Sequence, residues 1–107
     1  MSGSRDMISA AFKTFFAEAP QHAKAWMEVA EGLAKASALD AKTRELAYLA
    51  VLAAVGLESG VPFHVGLARQ SGASREEVIS AILVGLPAAG AVVTRCLPAA
   101  VEAYDAG

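Results

Sequence analysis

Apolar residues return along this chain at helical intervals, and no segment alternates apolar and polar residues as a strand would. Ile8, Phe12, Phe15 and Phe16 fall at i, i+4, i+7 and i+8, which predicts a first amphipathic helix from about Ser4 to Ala19. Pro20 separates it from a second helix, where Trp26, Val29, Ala30 and Leu33 make the apolar stripe and Lys24, Glu28, Glu31 and Lys35 the polar side. Two helices of this kind are expected to lie over something more apolar than themselves.

That more apolar segment begins after "SALD", with Asp40 as N-cap, and "AKTRELAYLAVLAAVGL" then runs without proline or glycine as far as Gly56. From Leu46 to Leu57 it is apolar on every face except for the tip of Tyr48, and such a helix has to be enclosed on all sides. A shorter helix is predicted from about Gly60 to Gln70, with Pro62 in the first turn, where a missing N–H costs nothing. "SGAS" ends it: Gly72 suits a left-handed cap, and Ser74 with Glu77 in "SREE" makes a capping box.

The next helix, "REEVISAILVGL", is apolar at Val78, Ile79, Ile82, Leu83 and Leu86, and Pro87 and Gly90 break or kink it within a stretch reaching about residue 94. "AVVTRCLPAAVEAYDAG" reads as a last helix bent near Pro98. The pattern therefore predicts an all-α bundle of about six helices in one domain, residues 1–107. So short a chain has a high surface-to-volume ratio, and two helices apolar all round are hard to bury within one copy. Self-association is expected, with segments 41–57 and 75–94 near the centre.

Composition narrows the partners. At 55% apolar residues and a net charge of −2, the chain has material for a core and no basic stripe, so a nucleic-acid partner is not expected. The amino-terminal stretch has charges at Arg5, Asp6 and Lys13 and does not read as a secretory signal. The uncharged run 78–94 approaches the lower length limit for a membrane span but is interrupted by Gly85, Pro87 and Gly90, so no membrane association is expected. One cysteine, Cys96, allows neither an intrachain disulfide nor a Cys-x-x-Cys pair, which points to a cytoplasmic protein.

Ionisable residues at the edge of the apolar segments are few: Glu45, Glu58, His64 and Arg69, with Arg95 further on. Each has an ordinary reading. Glu45 suits the first turn of a helix, His64 a hydrogen-bonded packing role, and Glu58 a solvated loop. A catalytic reading requires Glu45 and His64 to meet, yet a strictly antiparallel hairpin of the two helices would leave them roughly 10 Å apart along the axis. Crossed helices or a bridging water would close that gap. Glu45, Glu58 and His64 lack the i, i+3 or i, i+4 pairing of helical metal sites, so neither a metal nor another cofactor is expected. Cys96 is a lone cysteine in an apolar stretch with no histidine near it, and reads as an inert core residue rather than a nucleophile.

The order "LDAKTRELAYLAVLAA", then "G", then "H", then "SGASREEVISAI" resembles the carboxymuconolactone decarboxylase and alkylhydroperoxidase D-like family over about residues 8–95, most specifically from Leu39 to Ile82. The resemblance implies an alkylhydroperoxidase D-like all-helical fold assembled as a homotrimer or homohexamer. Redox members of the family carry a glutamate, a Cys-x-x-Cys pair and then a histidine, with three residues between the second cysteine and the histidine. The glutamate falls on Glu45 and the histidine on His64, but the two cysteine positions fall on Leu57 and Gly60, with Ser59 between them. Peroxide reduction needs one thiolate to attack the O–O bond and a second thiol to resolve the sulfenic acid, and Leu57 and Gly60 can do neither.

What the resemblance leaves is an acid–base pair without a thiol, as in the cysteine-free lactone decarboxylases. The first reading is an enzyme in which His64, assisted by Glu45 and Ser59, moves a proton in decarboxylation or isomerisation of a small acidic or lactone-like molecule clamped by Arg69 or Arg95. It predicts an apolar cavity reaching His64. The second is a non-catalytic oligomeric binding or scaffold protein, in which packing would seal His64. A residual peroxidase served by an external thiol is a third and weaker reading.

Overall fold

A computed structural model describes residues 8–107. All regular structure among these residues is helical. Helix α1 (Ala10–Glu18) begins later than the apolar spacing predicts, because the Ser9 hydroxyl accepts the Phe12 N–H at 3.2 Å and caps the helix there. Ile8 thus precedes the helix, and the expected part at residues 4–7 lies outside the described residues. Helix α2 (Pro20–Ala36) follows directly, with Pro20 in its first turn.

Helix α3 (Ala41–Val55) is capped by Asp40, whose carboxylate accepts the Thr43 N–H at 2.8 Å. It stops at Gly56, where φ is 77°, a left-handed conformation that glycine adopts without steric cost. A 3₁₀ turn (Glu58–Gly60) leads into α4 (Val61–Gln70), and Gly72 at φ 97° reverses the chain as expected. The predicted capping box then starts α5 (Arg75–Leu83): Ser74 Oγ accepts the Glu77 N–H at 3.0 Å, and Glu77 Oε1 accepts the Ser74 N–H at 2.8 Å.

The carboxy-terminal third departs from the two long helices predicted. Helix α5 ends at Leu83, a four-residue α6 (Leu86–Ala89) follows, a 3₁₀ segment takes Gly90–Cys96, and α7 runs Leu97–Ala106. Pro98 does not bend a helix; it sits in the first turn of α7, where no N–H is required. The run Arg75–Ala106 is apolar enough by length and composition to cross a bilayer. Here it is broken into these short elements, and α5 and α7 pack against each other.

The core forms one cluster, built from Leu49, Leu52 and Ala53 of α3, Val61 and Val65 of α4, and Val78 and Ile82 of α5, and closed by Val93, Cys96 and Ala100. Complete enclosure of α3 is not met within one chain: Tyr48, Val51 and Val55 form an open stripe on its outer side. Nor do α1 and α2 cover apolar surface as expected. They pack on each other, Ala23 is their one buried residue, and Trp26, Val29 and Leu33 face outward.

Three polar ties fasten the ends of the bundle. Lys42 Nζ pairs with Glu77 Oε2 at 3.0 Å, Arg75 binds Asp105 through two bonds of 2.9 and 3.2 Å, and the Tyr104 hydroxyl donates to the Ala73 carbonyl at 2.8 Å. The backbone N–H groups of Thr43 and Ser74 hold the Asp40 and Glu77 carboxyls below their ordinary pKa, and Arg75 does the same for Asp105. A depressed carboxyl pKa stabilises the fold above the unfolded value and ceases to do so as pH falls through the folded value. The thermal midpoint is therefore expected to fall as pH is lowered from about 5 to 3, the ordinary carboxylate range and below. Calorimetry showing a midpoint that rises over that interval would contradict this.

Candidate active site

Glu45 stands in the second turn of α3 and His64 in the first turn of α4, and the structure brings them into direct contact. His64 Nδ1 lies 2.8 Å from Glu45 Oε1, with the side chains 25% and 15% exposed. The turn between the helices closes the gap that a simple hairpin would leave. A Cβ on Gly60 would lie 3.4 Å from both methyls of Leu52, so the chain has already returned to the level of Leu52 before α4 begins. Seven residues separate Leu52 from Glu45 and four separate Gly60 from His64, leaving about 4–5 Å along the axis at 1.5 Å per residue. A glutamate side chain spans that distance.

The contact sets the state of the imidazole. An ionised carboxylate only accepts hydrogen bonds, so Glu45 holds the proton of the neutral ring on Nδ1 and leaves the lone pair on Nε2. The ring is also held on its faces and edge. The Tyr48 ring lies 4.4 Å from it, centroid to centroid, and the Phe63 ring meets it edge-on at 5.3 Å. Tyr48 was not among the residues singled out in the sequence, although its position three residues after Glu45 puts the two on neighbouring parts of one helix surface.

The other sequence-predicted residues lie elsewhere. The Arg69 guanidinium sits over the Tyr104 ring at 5.4 Å, because five helical residues turn it well away from His64. Arg95 pairs with Glu58 at 3.3 Å. Ser59 is exposed and, with Pro62, Ala99, Glu102 and Ser9, lines a cleft of about 500 Å³ that neither Glu45 nor His64 borders. A second, wider groove of about 560 Å³ runs between α3 and α5 past Leu46, Ala47 and Ala81, and it too bypasses His64.

Leu57 precedes the 3₁₀ turn and Gly60 ends it, and neither carries a reactive atom. Cys96 is fully buried, and that burial pushes its thiol pKa up, with the Glu58 carboxylate adding to the effect. Among the described residues no three His, Cys, Asp or Glu side chains converge as metal ligands would.

The model of the carboxymuconolactone decarboxylase family matches residues 20–102, most of the chain. The chain belongs to that family. The match begins at α2 and extends into α7, so α1 lies outside it, and it runs past the region of about 8–95 expected from the sequence motifs. No curated protein and no solved structure matches the chain. Within this domain, Glu45 and His64 are a carboxylate and an imidazole in direct contact.

Proposed function

We propose that this family member is a cytoplasmic enzyme of acid–base type, acting by decarboxylation or isomerisation on a small acidic or lactone-like molecule. The observation that carries the reading is the 2.8 Å contact between His64 Nδ1 and Glu45 Oε1. It presents Nε2 as a base, and the carboxylate stabilises the imidazolium formed when Nε2 takes a proton. In isomerisation, Nε2 removes a proton next to a carbonyl and returns it at another carbon. In decarboxylation, the C–C bond to the carboxylate breaks, its electron pair stays on carbon as CO2 leaves, and the proton of an imidazolium Nε2–H passes to that carbon, returning the neutral ring, which regains its proton from solvent.

Thiol chemistry is not part of the proposal, since Leu57 and Gly60 stand at the redox positions and Cys96 is sealed in the core. Self-association as a trimer or hexamer is part of it, supported by the open apolar stripes on α2 and α3. The scaffold reading draws on a different observation: neither cleft of the single chain reaches His64.

The test is a turnover screen of small carboxylated lactones and β-keto acids, followed by CO2 release and by deuterium uptake from solvent. One class is expected to turn over with the wild-type protein and to be lost with His64→Gln. Exchange and release at the buffer rate for every class would leave the scaffold reading standing.

A further inference from the structure

A carboxylate brought beside Glu45 is repelled by it and needs a cation to hold it. The two arginines that the sequence suggested for this are engaged elsewhere, Arg69 over the Tyr104 ring and Arg95 with Glu58. Arg75 is held by Asp105, and Lys42 by Glu77. Among the described residues, Arg44 is the one arginine that neither pairs with a carboxylate nor lies over an aromatic ring. Its single bond runs from Nη1 to the Leu39 carbonyl at 3.4 Å, longer than the usual range of about 2.7–3.2 Å. A guanidinium carries five N–H donors in a planar fork, so most of the fork has no partner here. Asp40 is near enough for the Arg44 charge to help depress its carboxyl pKa, but its Oδ1 already accepts the Thr43 N–H.

Arg44 is also in the right place. It directly precedes Glu45 and stands four residues before Tyr48, a spacing that puts two side chains on one helix face with Cβ atoms about 5–6 Å apart. The Tyr48 ring in turn lies 4.4 Å from the imidazole, so guanidinium, phenol ring and imidazole are successive neighbours on one surface. Turning the Arg44 side chain from Leu39 toward Tyr48 gives up one long bond. We infer that Arg44 is the carboxylate-binding residue of the Glu45–His64 site, its guanidinium taking the substrate carboxylate through two parallel N–H···O bonds while the rest of the molecule crosses the Tyr48 ring to Nε2. A carboxylate gripped at both oxygens is held as the anion, so it anchors the molecule and the reacting carbon lies several bonds away. That selects short oxo acids whose activated C–H is remote from the carboxylate. The inference rests on the acid–base reading of Glu45 and His64 for its chemistry, and on the placement of Arg44 for its binding.

The experiment uses the full chain, labelled at its arginine and histidine side-chain nitrogens, with the γ-oxo acid levulinate as probe and its uncharged methyl ester as the comparison. Levulinate is expected to move the Arg44 Nε–H and His64 ring signals and to leave those of Arg69 and Arg95 in place. The ester is expected to bind roughly 10–100-fold more weakly, the worth of hydrogen bonds to a charged group. Arg44→Gln is expected to weaken levulinate by the same factor and the ester hardly at all. Arg44→Lys keeps the charge without the fork and should fall between. Because the side chain makes one long bond, Arg44→Gln should melt within about 4 °C of the wild type. Deuterium uptake at the carbons beside the levulinate ketone, extrapolated to saturation, should be unchanged in Arg44→Gln, since a residue that binds the carboxylate moves no proton.

Several outcomes overturn the inference: an Arg44 signal that stays in place at tens of millimolar levulinate, movement of Arg69 or Arg95 instead, or an ester that binds as well as the acid. Levulinate held at Arg44 with deuterium uptake no faster than in buffer would sink the acid–base reading and leave the carboxylate site. Uptake that is faster than in buffer, lost in His64→Gln and indifferent to Arg44→Gln at every levulinate concentration would do the reverse.

Discussion

His64→Gln is expected to lower turnover about 10²–10⁴-fold, the range that a positioned general acid or base supplies. The contact with Glu45 makes the companion variants informative. Glutamine at position 45 keeps the shape of the side chain but can donate as well as accept, so it no longer selects the Nδ1–H form of the ring. Glu45→Gln should therefore fall in the same range as His64→Gln. The double variant should fall little further, because groups that act as a unit are not additive. Nitrogen shifts of the labelled ring check the premise independently of any substrate: neutral wild-type His64 is expected to carry its proton on Nδ1, and Glu45→Gln to give a mixture. A wild-type ring protonated on Nε2, or an active His64→Gln protein, would remove the proposed role.

Ile82→Ala is expected to destabilise the fold by about 2–5 kcal/mol, the loss measured when large aliphatic side chains are cut back in packed cores. Ile82 is fully buried, in α5, within the cluster that joins α3 and α4 to the carboxy-terminal elements. Neighbours drawn from several helices cannot all move in to fill the space. In a chain of this size each kcal/mol moves the thermal midpoint by about 4–8 °C, so the variant should melt at least about 8 °C below the wild type. The comparison is made at one protein concentration, since association of copies would add a stabilisation of its own. A shift of a degree or two would mean that the core around Ile82 can collapse.

How far these features could be read in the sequence depends on how local their causes are. The capping box at Ser74 and Glu77, the reversal at Gly72 and the tolerance of Pro62 are each decided within one turn of chain, and the sequence pattern finds all three. The first turn of α7 obeys the same rule as Pro62, but the apolar run around Pro98 conceals where one helix ends and the next begins. The meeting of Glu45 and His64 depends on Gly60 lying beside Leu52. No periodicity encodes that, because it is set by how a 3₁₀ turn folds down against a side chain. Arg69 is a further case: its partner, Tyr104, is 35 positions away, and nothing in the spacing of either announces the contact. The open faces of α2 and α3 were legible as apolar, but that they stay uncovered within the chain depends on how the helices dock, which no local spacing encodes.

The helical pair α1–α2 carries a last consequence. With Ala23 as its one buried residue, it has little burial to lose on opening, so it should open at small cost while α3 to α7 stay closed. Amide hydrogens from Ala10 to Ala36 should then exchange far faster than those of α3, with the boundary at the Asp40 cap. A protease acting on the folded protein would then cut first between residues 10 and 36, leaving the α3–α7 bundle as the resistant body that carries Glu45 and His64.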